Sequence, residues 1–92
     1  MTYADYIRSL PCSVCADDTT VQQHHLINID GLTKGMALKM PEIISIPLCA
    51  RHHRELHLHV EGWEVNYGDQ EYHLVQTLAQ AAFDGWEITR DE

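Results

Sequence analysis

The chain has 92 residues, three cysteines, seven histidines and a formal net charge of −8. This length predicts one domain with a small core, and domains of this size often depend on a structural metal. An odd number of cysteines does not complete a disulfide framework, and the sequence has no secretion leader and no apolar run of about 18 residues. We therefore expect a cytoplasmic protein without a membrane span.

The first half of the chain predicts a helix and two strands. Apolar residues at helical spacing predict a helix over residues 3–10, which Pro11 ends. Residues 19–27 are rich in Thr, Val and Ile and predict a strand. Residues 43–48 predict a second strand, at an edge of the sheet because Pro47 cannot donate to a ladder.

The second half predicts two helices. A helix over about residues 50–59 follows the hairpin, and residues 63–68 read as a turn or short extended piece. A C-terminal helix is predicted over residues 70–83, with Asp69 as its N-cap and Gly85 as its stop. Its predicted buried face comprises Glu71, Val75, Leu78 and Ala82, with Leu74 and Ala81 alongside. The element order predicts a small α+β domain, with Trp63, Phe83 and Trp86 as core aromatics.

Cysteines and histidines form spaced groups. They read Cys12-x-x-Cys15, then His24-His25, then Cys49-x-x-His52-His53-x-x-x-His57. Zinc prefers thiolate and neutral imidazole ligands, and structural zinc sites close with four of them. A structural zinc site is therefore predicted at Cys12, Cys15, Cys49 and His52. His59 lies seven residues beyond His52, about 10 Å along a helix axis, which is too far to share its metal, so we expect it to face solvent. His73 has no cysteine or histidine partner at ligand spacing, so we expect no metal site there.

Helix geometry predicts a second site for the remaining histidines. On a helix, Cys49 and His52 lie about 60° apart, whereas His53 and His57 lie about 40° apart on a neighbouring face. One helix can therefore serve two sites. The adjacent histidines of the doublet point to opposite faces of a strand, so only one can join a given metal and the other is free for proton chemistry.

Over residues 11–60 this pattern resembles the HNH, or ββα-metal, endonuclease family in its zinc-stapled form. It is similar in particular to the short phage-encoded type that includes the recombination-enhancement nuclease. The resemblance implies a ββα-metal domain with a structural zinc knuckle and flanking N- and C-terminal helices, in the host cytoplasm if phage-encoded. It also implies that His24, His53 and His57 bind a catalytic divalent metal and that His25 is the general base.

Three further residues complete the predicted site. The family places an Asn or Asp before the second strand to orient the base, and the nearest candidate here is Glu42, which either accepts a hydrogen bond from His25 or is a surface residue. Arg51 and Arg54 are candidates for binding the phosphate, or are surface residues. Imidazole ligands suit zinc, nickel or manganese more than magnesium, and all four metals stay open.

The resemblance implies hydrolysis of DNA phosphodiester bonds, with nicking and low sequence specificity. Residues 1–59 carry five basic and six acidic groups (net −1), and residues 60–92 carry one and eight (net −7). We therefore expect weak DNA binding, helped by a protein partner at the acidic extension over residues 61–92 unless that extension is only a solvated face. The alternatives are a non-catalytic zinc-stabilised binding module and an acidic regulator of a partner's nucleic-acid groove.

Overall fold

The computed structural model describes residues 1–27, Ile29 and residues 42–86. The helices and strands, in chain order, are α1 (Tyr3–Ser9), β1 (Val21–His25), β2 (Ser45–Cys49), α2 (Ala50–Leu58), α3 (Val60–Tyr67) and α4 (Gln70–Phe83). The fold is mixed α+β, as predicted. No helix of the described residues is long and apolar enough to cross a membrane. The last residues of the predicted acidic extension, 87–92, lie outside the described part.

Local capping explains where α1 begins and ends. The Asp5 N–H donates to Thr2 Oγ1 at 3.1 Å, and the Thr2 N–H donates to Asp5 Oδ2 at 3.2 Å. This reciprocal pair is a capping box, which satisfies donors that a helix start leaves free. Leu10 is already extended, and Pro11 follows it. The helix predicted over residues 3–10 is confirmed to within one residue.

The hairpin is an antiparallel pair in which His24 lies opposite Ile46 and Gln23 lies opposite Pro47. All five residues of β2 are buried. The Pro47 carbonyl accepts a hydrogen bond from the Ser13 N–H at 3.0 Å, so it points away from β1. In a β-strand the N–H and the carbonyl of one residue point to the same side, so the N–H that Pro47 lacks would also point away from β1. The missing donor therefore costs no ladder hydrogen bond, which confirms the predicted edge position.

Two core clusters hold the helices against the hairpin. The larger cluster consists of Cys12, Leu26, Ile29, Ile46, Leu48, Cys49, Leu56, Trp63 and Leu74. The smaller cluster joins α1 to the end of α4 through Tyr6, Ile7 and Ala81. The Tyr6 hydroxyl also donates to Asp84. Two cysteines, Cys12 and Cys49, are part of the larger cluster, so their thiol groups are packed within the hydrophobic core.

Residues 63–68 were predicted as a turn or extended piece, and this prediction is wrong because residues 60–67 form α3. The helix brings Trp63 and Tyr67, four residues apart, onto one face. Trp63 is only 2% exposed, and the Tyr67 hydroxyl donates to Glu55 of α2 at 3.1 Å. Burial of a tryptophan and this contact outweigh the weak local signal of a glycine-flanked segment.

The predicted bounds of α4 are confirmed, with Asp69 at the N-cap and Gly85 (φ 94°) just after the end. The predicted buried face is wrong for Glu71, Val75 and Ala82, which are exposed. The buried residues are Gln70, His73, Leu74, Thr77 and Ala81. Three of these five buried residues are polar. A prediction that located the buried face from apolar residues alone therefore placed it on the wrong side of the helix. Phe83, predicted in the core, is 87% exposed.

Two glycines give opposite predictions for stability. Gly68 joins α3 to α4 at φ 96° and ψ 161°, a region open essentially to glycine alone, so Gly68→Ala is expected to lower the free energy of unfolding by about 1–3 kcal/mol. Gly62 lies inside α3, where an added Cβ meets only His59 Cβ at 3.9 Å. Gly62→Ala should raise the free energy by about 0.5–1 kcal/mol. Urea unfolding of both variants checks this, and a stabilising Gly68→Ala would contradict it.

Candidate metal centre

The first cluster of candidate ligands joins three parts of the chain. Cys12 and Cys15 lie in the turn after α1, Cys49 ends β2 and is the N-cap of α2, and His52 lies in the first turn of α2. We call Cys12, Cys15, Cys49 and His52 the Cys3His cluster. All three thiols are free, and the four ligand atoms lie within 4.8 Å of one another.

The distances within the Cys3His cluster fit a tetrahedral ion. His52 Nδ1 lies 3.1 Å from Cys49 Sγ and 3.8 Å from Cys12 Sγ, and the Sγ atoms of Cys15 and Cys49 are 3.9 Å apart. Zinc bonds of about 2.3 Å to sulfur and 2.0–2.1 Å to nitrogen place tetrahedral ligands about 3.5–3.8 Å apart. The cluster can therefore hold a metal such as zinc, as the sequence predicts.

Electrostatics favour the metal-binding forms of two of the four ligands, Cys12 and His52. The Asp17 backbone N–H lowers the pKa of Cys15, but desolvation and the neighbouring thiols of Cys12 and Cys49 raise it overall. Burial alone would raise the pKa of Cys12, but backbone N–H groups of Cys49, Cys15 and Val14 donate to its sulfur and bring the pKa below the usual value. Burial, with the nearby Arg51 charge, lowers the pKa of His52. Thiolate and neutral imidazole are the forms that bind a divalent cation.

The second cluster lies between β1 and α2. We call His24, His53 and His57 the histidine cluster. Their ring centroids are 4.9–5.3 Å apart, and the Nε2 atoms of His53 and His57 are 3.2 Å apart. His24 is 1% exposed, His53 is half-buried and His57 is exposed, so the cluster opens to solvent on the α2 side.

One atom of the histidine cluster indicates that a cation fits there. His24 Nδ1 is buried and has no hydrogen-bond partner among the described residues. Burial lowers the pKa of His24 to about 4, and burial also lowers the pKa of His53. Both imidazoles are therefore neutral at pH 7, and a divalent cation would satisfy the unpaired nitrogen.

His25 lies on the opposite side of β1 from His24, as strand alternation predicts. Its side chain is 36% exposed, and Nε2 lies 3.8 Å from Glu42 Oε1. That distance is an ion-pair approach and is too long for a hydrogen bond. The predicted hydrogen bond from His25 to Glu42 is therefore not formed in this structure. The other carboxylate oxygen of Glu42 accepts a hydrogen bond from Gln23 Nε2 at 2.9 Å.

The two predicted phosphate-binding arginines lie on the outside of α2, and the two histidines expected to have no metal role lie beyond that helix. Arg51 and Arg54 are exposed, and an Arg51 nitrogen is 3.2 Å from His52 Nε2. Their contact with a phosphate stays a prediction. His59 is exposed, and His73 is buried with Nε2 donating to the Tyr67 carbonyl at 2.8 Å. Neither residue is part of the Cys3His cluster or of the histidine cluster.

Sequence reasoning missed two residues next to the histidine cluster. Gln70 Oε1 lies 3.0 Å from His24 Nε2, and Gln22 Oε1 lies 2.7 Å from His53 Nδ1. Gln22 was detectable, because it precedes His24 by two residues and shares its strand face. Gln70 lies 46 residues after His24 and has no local signal.

Acidification is expected to destabilise the protein through His24. Its folded-state pKa of about 4 lies below the usual 6.5, so the unfolded chain binds the proton first, and stability present above pH 6.5 is lost as the pH falls towards 4. The unfolding free energy should fall by up to about 1.4 kcal/mol per pH unit more in the wild type than in His24→Gln. Urea unfolding at pH 7 and pH 5, with zinc alone supplied to both proteins, measures this difference, and equal losses would contradict it.

The family described as "Protein of unknown function (DUF968)" matches residues 1–85. The uncharacterized protein YdfU of Escherichia coli (strain K12) is 37% identical over 71 residues, which cover 74% of this chain and 19% of that protein. The chain thus spans about a fifth of the length of this curated relative. No solved structure matches the chain at a significant level.

Proposed function

The chain belongs to the family described as protein of unknown function (DUF968), and from the geometry of its two ligand clusters we propose that it is a metal-dependent endonuclease of the HNH type. It would hydrolyse DNA phosphodiester bonds in the cytoplasm, nicking duplex DNA with low intrinsic sequence specificity. The observation that carries the proposal is the convergence of His24, His53 and His57 on one open site. A second set of ligands, the Cys3His cluster, lies at the start of the same helix.

A divalent cation held by the histidine cluster would supply Lewis-acid stabilisation of charge on the phosphate and on the leaving 3′ oxygen. His25 accepts the proton of the attacking water as the general base. The Glu42 carboxylate, 3.8 Å from the His25 ring, favours the positive charge that this proton creates.

Access for DNA is consistent with this assignment. His57 is exposed, and the exposed Arg51 and Arg54 lie on the same helix, where their guanidinium groups can donate to phosphate oxygens. The chain as a whole has a charge of −8, so few phosphate contacts are available. Affinity for DNA should therefore be low, and its dependence on salt concentration should be shallow, because the salt dependence grows with the number of phosphates contacted.

Nicking of supercoiled plasmid by purified protein tests the proposal, with magnesium, manganese, nickel and zinc supplied in turn. The wild type should nick with at least one added metal. His53→Ala should abolish nicking because it removes a ligand, and the matched control His59→Ala should nick like the wild type because His59 is exposed and belongs to neither cluster. Equal nicking by wild type and His53→Ala would exclude the histidine cluster as the active site.

The acidity of the chain favours a second candidate, a non-catalytic zinc-stabilised binding module that acts through a protein partner. Metal stoichiometry separates the two candidates. One tightly held zinc per chain fits the binding module, whereas a second, weaker site that is lost in His53→Ala fits the endonuclease.

A further inference from the structure

Two glutamine side chains contact ring nitrogens of the histidine cluster. Gln70 Oε1 lies 3.0 Å from His24 Nε2, and Gln22 Oε1 lies 2.7 Å from His53 Nδ1. Metal-binding histidines generally donate the second ring N–H to an acceptor, which fixes the tautomer and the ring direction. Here the acceptors are amides on β1 and α4.

The orientation of the Gln70 amide is set by the backbone of Ile27. The Ile27 N–H donates to Gln70 Oε1 at 3.1 Å, and Gln70 Nε2 donates to the Ile27 carbonyl at 2.9 Å. Gln70 is 0% exposed. Turning the amide over would place two donors against each other and two acceptors against each other, in a site that water does not reach. The amide therefore has one allowed orientation.

This orientation determines the tautomer of His24. Gln70 Oε1 has no proton to give, so the hydrogen bond at 3.0 Å requires the proton on His24 Nε2. A neutral imidazole carries one N–H, which leaves a lone pair on Nδ1. That nitrogen is one of four buried side-chain atoms that have no hydrogen-bond partner in the described part of the chain.

Gln22 makes the corresponding contact to His53 from an exposed position, without backbone contacts from the described residues like those that fix the Gln70 amide. Its carbonyl oxygen accepts the Nδ1 proton, and the opposite nitrogen, Nε2, lies 3.2 Å from His57 Nε2. In this arrangement each of the two histidines keeps one unprotonated nitrogen, Nδ1 of His24 and Nε2 of His53. The two amides come from different elements, since Gln22 belongs to β1 and Gln70 begins α4.

We propose that Gln70 and Gln22 are positioning residues that set His24 and His53 in the tautomers that receive a metal ion, before any ion binds. The inference rests on the proposed metal site at the histidine cluster. Gln70 is more than a packing residue, because its hydrogen bonds to Ile27 transmit a backbone constraint to the ligand ring. Gln22 acts from the exposed end of the cluster.

Long-range proton–nitrogen NMR of the histidine rings tests the tautomers directly, in wild-type protein whose Cys3His cluster is loaded with zinc. The expected result is His24 with its proton on Nε2 and His53 with its proton on Nδ1. Calorimetric titration of this protein with Ni²⁺ gives the affinity of the histidine cluster. Gln70→Met and Gln22→Met keep the side-chain length and remove the amide, and each should weaken Ni²⁺ binding about 10–100-fold.

The exposed Gln76 of α4 provides the matched control, because it lies on the same helix as Gln70 and belongs to neither cluster. Gln76→Met should bind Ni²⁺ like the wild type. A proton on Nδ1 of His24 in the wild type, or unchanged Ni²⁺ affinity in Gln22→Met and Gln70→Met, would overturn the inference. Should Gln70→Met fail to fold, the wild-type tautomers and the Gln22→Met affinity still decide. If the tautomers and the Ni²⁺ affinities were as expected but the protein did not nick DNA, the endonuclease proposal would be contradicted and the positioning role of the two glutamines would still be supported.

Discussion

Replacement of Cys49 by serine is expected to unfold the protein at room temperature. Cys49 ends β2, is the N-cap of α2 and is 3% exposed within the larger core cluster. Its sulfur approaches both His52 and Cys15. Structural zinc contributes about 10–16 kcal/mol of apparent binding free energy in small zinc domains, and a domain of this size is stable by only about 5–15 kcal/mol. Loss of the ion should therefore remove the folded state.

Circular dichroism and zinc content measure this effect in Cys49→Ser. Ala50→Ser is the matched control, because Ala50 is exposed in the adjacent position and contributes no ligand. The control should retain zinc and unfold cooperatively. Treatment of the wild type with a strong chelator should reproduce the loss of structure seen in Cys49→Ser. A folded Cys49→Ser protein with wild-type stability would show that the Cys3His cluster holds no structural ion.

The second large effect concerns His25. His25→Ala is expected to lower the nicking rate about 10²–10⁴-fold, the usual contribution of a positioned general base. Its side chain lies on the other side of β1 from His24, so metal binding at the histidine cluster should be unchanged. Glu42→Gln should cause a smaller loss, since the carboxylate approaches the ring at 3.8 Å without a hydrogen bond.

Plasmid nicking and Ni²⁺ calorimetry on the same protein preparations separate the two roles of the histidine doublet. His24→Ala should lose both nicking and Ni²⁺ binding, whereas His25→Ala should lose nicking alone. If His25→Ala nicked as fast as the wild type under the same metal conditions, His25 would not be the base.

Local chemistry in the sequence was sufficient to predict most of the elements. Pro11 ends α1, Asp69 begins α4 and Gly85 follows its end, each at the predicted place. Helix and strand periodicity also predicted which ligands share a site, because these periods fix directions within one element. The Cys3His cluster and the histidine cluster therefore followed from spacing and from the family resemblance that the spacing carries.

Features that depend on packing between distant segments could not be predicted in this way. Trp63 was correctly predicted in the core, but α3 was missed, because a buried tryptophan does not by itself distinguish a helix from an extended segment. The buried face of α4 includes Gln70 and His73, whose polar groups are satisfied by Ile27 and by the Tyr67 carbonyl. A pattern of apolar residues cannot reveal buried polar residues whose partners come from elsewhere.

The most direct test of the endonuclease proposal is the initial rate of plasmid nicking measured against occupancy of the histidine cluster. The protein is first loaded with zinc at the Cys3His cluster, and manganese or nickel is then titrated while binding is followed in parallel. We predict a rate that rises in proportion to occupancy and saturates at one ion per histidine cluster. Full occupancy without nicking, for every metal that binds, would contradict the endonuclease and favour the zinc-stabilised binding module.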